Sequence, residues 1–177
     1  MARYNTSEIV LDRDRAVAPS TNKKVVIRRF DRESLAGYVN PQTYLARGCV
    51  ELLSLNGKYL LVPLEEIKAV DFVRDFEAAG EPDPLFFRSR PKAAGLWVRL
   101  YFRDGEQMEG LLPNNLLQCE PEGFTVVPPN PNSRRQRVFV PRKALTQVQV
   151  LGVIGGSRKE QRKAPSAGKA EQMPLFE

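Results

Sequence analysis

The chain of 177 residues contains no histidine. That absence removes histidine acid–base chemistry, Ser–His and Cys–His nucleophile pairs, and the zinc constellations built on imidazole. Cysteine is nearly absent too. Cys49 and Cys119 stand far apart and in no paired motif. They read as small apolar residues of a reducing compartment, neither a disulfide framework nor a thiolate metal site. No apolar run approaches membrane-spanning length, and residues 1–15 have no apolar core of the signal-peptide kind. The expectation is a soluble, cytoplasmic, non-enzymatic protein with no catalytic residues, no metal, no cofactor and no membrane partner.

What is present points to short strands. There are 14 prolines and 12 glycines, which favour turns over long helices. The net charge is +6, a balance that attracts polyanions.

An internal repeat organises the chain. Residues 25–39, VVIRRFDRESLAGYV, align without gaps with residues 98–112, VRLYFRDGEQMEGLL. Asp31 meets Asp104, Glu33 meets Glu106 and Gly37 meets Gly110, a displacement of 73 residues. Residues 62–73, VPLEEIKAVDFV, then align with 140–151, VPRKALTQVQVL, at a displacement of 78. Two matches in the same order argue for duplication of one structural unit.

Each unit reads as five strands. In the second, Val98, Leu100 and Phe102 alternate with Arg99, Tyr101 and Arg103, the period of a strand with one buried face. Asp104-Gly105 is a hairpin turn, and Gly110 inside the returning strand predicts a bulge or sharp bend. Strands over 123–128, 137–141 and 145–152 complete the set, with one helical turn at 142–144. The first unit predicts strands over 24–30, 35–40, 49–54, 58–63 and 67–74, with an Asn56-Gly57 turn. Arg29 falls where the second unit has the inward Phe102, and Arg32 replaces Gly105. A bulge that swings Phe30 inward and a less regular first unit both accommodate this. The fold class predicted is all-β: two tandem small five-stranded barrels. The organisation is a flexible segment over 1–22, a first barrel over 23–76, an acidic linker over 77–94, a second barrel over 95–152 and a disordered basic tail over 153–177.

Arg134, Arg135, Arg137, Arg142 and Lys143 fall within ten residues that hold no acid, and Arg99 and Arg103 flank Tyr101 on an outer strand face. Guanidinium groups bind phosphate and a tyrosine ring stacks on a base, so these eight residues are candidate contacts to RNA or DNA. Residues 64–84 carry seven acids against two bases. This acidic stretch can pack against the basic units and reduce the charge open to a polyanion. In the tail, Gln172, Met173, Leu175 and Phe176 place apolar side chains on a polar arm, the pattern of a docking peptide.

Three resemblances add to this reading. Alternating apolar residues, Asp104-Gly105, Gly110 and VFVPRKALTQV over 138–148 resemble the Sm-like fold, including the bacterial host-factor RNA chaperone, and share much with SH3-like barrels. The resemblance implies an RNA-binding late strand pair, here with Arg142 and Lys143. Residues 24–152 are similar to an uncharacterised bacterial tandem-repeat family, through IKAVDFVRDF at 67–76, FRDGEQMEGLL at 102–112 and the segment 123–140. Gln172-Met-Pro-Leu-Phe176 resembles the bacterial sliding-clamp-binding peptide, with Pro174 in place of the usual serine or aspartate. That implies docking on the clamp, Gln172 in a polar pocket and Leu175-Phe176 in an apolar one. The combined expectation is a tandem-barrel adaptor associated with nucleic acid. The alternatives are a protein–protein module without nucleic acid, and a cyclic-dinucleotide-binding barrel of the PilZ type. The last is suggested by Arg28, Arg32 and the Ser34-x-x-Gly37 spacing, with Arg32 where that type has an acid or amide.

Overall fold

A computed structural model describes residues 21–76, 83–130 and 134–155. The described chain is all-β, with two single-turn 3-10 helices. The first half contributes β1 (Lys23–Arg29), β2 (Ser34–Val39), β3 (Leu45–Ala46), β4 (Cys49–Ser54), β5 (Tyr59–Pro63) and β6 (Ile67–Val73). The second contributes β7 (Gly95–Phe102), β8 (Gln107–Leu112), β9 (Gly123–Val126), β10 (Arg135–Pro141) and β11 (Leu145–Ile154). The alternation read in β7 is real: Val98, Leu100 and Phe102 are buried, while Arg99 and Tyr101 are half-exposed.

The two displacements seen in the sequence recur in the strand registers. Val25 lies opposite Gly37 and Ile27 opposite Leu35; correspondingly, Val98 lies opposite Gly110 and Leu100 opposite Met108. On the other edge of the first strand, Val25 faces Phe72 and Ile27 faces Val70, matched by Val98 facing Val150 and Leu100 facing Val148. Val50 faces Val62 as Phe124 faces Val140. Even the single bridge between Leu111 and Val127 repeats the pairing of Tyr38 with Leu53.

Both halves also carry a bulge at the same place. The ladder skips Lys68 of β6 and Thr146 of β11. The extra residue therefore sits on the fifth strand, not on the first. Phe30 packs against the core of the second half, under the Arg103 guanidinium at 3.9 Å from the ring centroid. Arg29 is turned away from the core, its side chain 15% exposed, and pairs with Glu66 at 2.7 Å. At the hairpin turns, Gly105 has φ 86° and its counterpart Arg32 has φ 71°.

The expectation of two five-stranded barrels needs correction on two points: the first half has a sixth, two-residue strand, β3, on β4, and no sheet closes on itself. β6 pairs with β1 on one edge and with β10 of the other half on its second edge. This makes one eight-stranded sheet running β3-β4-β2-β1-β6-β10-β9, with β5 on β4, beside a three-stranded sheet β11-β7-β8. The physical reason is edge satisfaction. An open five-stranded set leaves unpaired N–H and C=O groups along its outer strands, and pairing β6 with β10 satisfies one edge of each half.

The cores interlock across this seam. Phe139 of β10 lies among Val25, Ile27, Leu52, Ile67 and Val70 of the first half. Ala69 of β6 belongs to the second cluster, with Val98, Leu100, Met108, Val126 and Val138. Asp71, 2% exposed, is the buried carboxylate of the seam. Arg28 Nε lies 2.8 Å from its Oδ2, Arg28 Nη2 donates to Oδ1 at 3.3 Å, and Arg135 Nη1 approaches to 4.0 Å. Burying a carboxylate is tolerated when cations and donors surround it.

Candidate nucleic-acid interface

The eight basic and aromatic residues singled out in the sequence do not share one surface. Arg135 is buried; its Nε donates to Asp83 Oδ2 at 3.0 Å and its Nη2 to the Asp83 carbonyl at 3.2 Å. Arg99 pairs with Glu109 at 2.7 Å, and the Tyr101 hydroxyl donates to Gln149 Oε1 at 2.8 Å. Arg103 and Lys143 converge on Glu65 of the first half, Arg103 at the carbonyl (2.6 Å) and Lys143 at the carboxylate (2.5 Å). Arg142 lies over the Phe124 ring at 4.4 Å and donates to the Pro121 carbonyl at 2.8 Å. Arg137 is exposed on β10, and Arg134 is half-buried.

The acidic stretch accounts for much of this. Glu65, Glu66, Asp71, Asp75 and Asp83 pair with Lys143, Arg29, Arg28, Lys24 and Arg135 respectively. Lys143 in turn holds the exposed Glu65 carboxyl below its ordinary range, chiefly through their hydrogen bond.

A different basic segment remains open. Residues 83–94 form a loop fastened at two points. Arg135 grips Asp83 at its start. Further on, the buried Glu109 carboxylate of β8 accepts from Phe87 N (3.2 Å), Trp97 Nε1 (3.1 Å) and Arg99 (2.7 Å), while Glu109 N donates to the Leu85 carbonyl at 2.8 Å. Phe87 stacks edge-on against Trp97, with centroids 6.2 Å apart. Beyond these anchors, Arg88, Arg90 and Lys92 are exposed, and no ion pair to them is formed among the described residues. With Phe86, Pro128 and Asn130 they line an open groove of about 580 Å³. A loop fastened at residues 83–87 that presents alternating cations beside an exposed phenyl ring can hold a phosphate backbone and a base face.

Neither Glu109 nor this loop was singled out from the sequence. The signal for the loop was available: no acid occurs between Asp83 and Asp104. For Glu109 the signal was an acid set between Met108 and Gly110-Leu111-Leu112 in a largely apolar strand.

A second cleft of about 260 Å³ lies at the seam, lined by Lys23, Tyr44, Phe72, Glu120, Thr125 and Arg137 among others. Burial pushes the Glu120 carboxyl up, against the hydrogen bond from Thr125 Oγ1 at 2.9 Å. Burial, reinforced by Glu120, likewise raises the Tyr44 hydroxyl. Of the cyclic-dinucleotide pattern, Arg28 is turned to Asp71, Arg32 occupies the turn, and Gly37 is crossed by Leu53. Among the described residues no group of carboxylates and cysteines is placed to hold a metal ion, Cys49 and Cys119 are free thiols, and no helix is long and apolar enough to cross a membrane. The docking residues Gln172, Met173, Leu175 and Phe176 lie outside the described residues.

Residues 21–152 match a family of unknown function, DUF6982, and the chain belongs to that family. No curated protein and no solved structure matches it.

Proposed function

We propose that the protein is a non-enzymatic adaptor, built from two small β units of the Sm-like or SH3-like kind, whose groove at residues 83–94 takes single-stranded nucleic acid. The observation that carries this reading is the loop itself. Arg88, Arg90 and Lys92 are exposed and lie beside Phe86, while among the described residues Arg99, Arg135, Arg142 and Lys143 are spent on carboxylates or backbone oxygens. Binding of this kind is electrostatic and stacking-based, hence salt-sensitive and tolerant of sequence. The segment 172–176 supplies the adaptor's second contact, with the bacterial sliding clamp as its partner.

The test is fluorescence anisotropy with a labelled oligonucleotide over a salt series. The combined variant Arg88→Ala, Arg90→Ala and Lys92→Ala should weaken binding and reduce the salt slope by about 2, from a slope of roughly 0.7 per neutralised phosphate on a single strand. Arg134→Ala with Arg142→Ala should have the smaller effect. Absence of binding by the wild type at low salt removes the nucleic-acid reading and leaves the protein–protein module. For the clamp, a peptide spanning 170–177 should show saturable micromolar binding that Leu175→Ala with Phe176→Ala abolishes.

A further inference from the structure

β6 and β11 are the same strand of the two repeated sets, yet their surroundings differ. β6 is paired on both edges, by β1 and by β10. Among the described residues β11 is paired on one edge only, by β7. Val70 and Ala69 of β6 are accordingly fully buried, whereas Val150 and Val153 of β11 are 56% and 62% exposed. The counterpart of β10 is β5, and among the described residues β5 is paired by β4 alone. Among the described residues, the junction that joins the two halves is thus present once complete and once as two separate open edges.

We propose that a second copy of this chain completes it: β5 of one copy pairs antiparallel with β11 of the next, in the register that β10 takes on β6. That register sets Phe139 opposite Val70, Val138 opposite Asp71 and Arg137 opposite Phe72. Displaced by 78 residues, it sets Leu61 opposite Val148, Leu60 opposite Gln149 and Tyr59 opposite Val150. The exposed Val150 gains an aromatic cross-strand neighbour, a favourable pairing on a sheet face.

The substitutions at the seam support the same fit. Inside the molecule, Asp71 is buried between Arg28 and Arg135. At the corresponding places around β11 stand Gln149, Tyr101 and Gly57, so the carboxylate and both guanidinium groups are lost together. The Arg28–Asp71 ion pair is replaced by a neutral hydrogen bond from the Tyr101 hydroxyl to Gln149 at 2.8 Å. A strand docking here buries no uncompensated charge. The stretch to be paired is unprotected by charge or proline: β11 has no charged residue and no proline in ten residues, its bulges at Thr146 and Leu151 lie outside Val148–Val150, and β5 has only its terminal Pro63.

The contact is head to tail. Each added copy leaves one β5 edge and one β11 edge open, so growth continues until a ring closes. Light scattering on the full chain should show species at whole multiples of the monomer mass, growing with concentration into the high micromolar range. Val150→Lys, at an exposed site, should give monomers with an unchanged melting temperature at dilution; Val153→Lys serves as a second edge variant. Tyr59→Lys, checked for folding by circular dichroism, should also give monomers. Mixing Val150→Lys with Tyr59→Lys should restore a 1:1 dimer and nothing larger, because one intact edge of each kind remains. A wild-type chain that stays monomeric throughout overturns the proposal, as does an oligomer that neither Val150→Lys nor Val153→Lys disrupts.

Discussion

Gly37 and Gly110 occupy the same place in successive sets of strands, and at each the neighbouring strand passes too close for a Cβ. A Cβ on Gly37 would lie 2.4 Å from the Leu53 carbonyl oxygen, and one on Gly110 would lie 2.8 Å from Val126 Cβ. The ladder of β7 and β8 runs through Gly110 without a register shift, so the bulge expected there is not formed; what calls for glycine is the close approach of the next strand. Glycine is needed where the second strand crosses under the third, since neither residue has a positive φ.

Alanine at either position should therefore destabilise the fold by overpacking, on the order of 1–3 kcal/mol. Gly37→Ala should cost more, because it meets backbone rather than a side chain. Urea titrations of the two variants check the order.

Removing Asp71 should be felt in both halves. Asp71→Ala leaves Arg28 with no carboxylate at the seam, and breaking a buried pair from one side costs about 3–5 kcal/mol. Trp97 is the single tryptophan and lies in the second half. Its fluorescence should report the same lowered midpoint as far-ultraviolet circular dichroism, because the interlocked cores unfold as one. Two separated transitions would count against a shared core.

Glu120 should make stability depend on pH. Its carboxyl is raised by burial, so the folded state favours the protonated form. The stability this contributes is fully present below the unfolded carboxylate range and is lost as pH rises through the raised value. Glu120→Gln keeps an acceptor for Thr125 Oγ1 and removes the charge. The variant should melt a few degrees above the wild type at neutral pH, and the gap should close below about pH 4. Thermal melts at several pH values decide it.

Arg32 holds a left-handed conformation that its counterpart Gly105 adopts without strain. Arg32→Gly should raise stability by up to about 1 kcal/mol, since that conformation costs a side-chain residue roughly 1–2 kcal/mol. An unchanged or lower denaturation midpoint would show that the lost side chain outweighs the relieved backbone.

The sequence by itself determined the strands, the turns and the repeat. Local alternation and the Asp-Gly and Asn-Gly turns are properties of neighbouring residues, the two displacements are read by comparing the segments directly, and the registers reproduce them. It did not determine that β6 pairs with β10, because an edge strand's second partner is chosen by backbone hydrogen bonding, which leaves no mark in the alternation of side chains. Only the tertiary structure showed that Asp71 and Arg135 are buried at a shared seam, that Glu65 draws in Arg103 and Lys143, and that Glu109 fastens the loop exposing Arg88, Arg90 and Lys92. Charge in a sequence is a count; whether a cation faces solvent or a carboxylate depends on residues brought from tens of positions away.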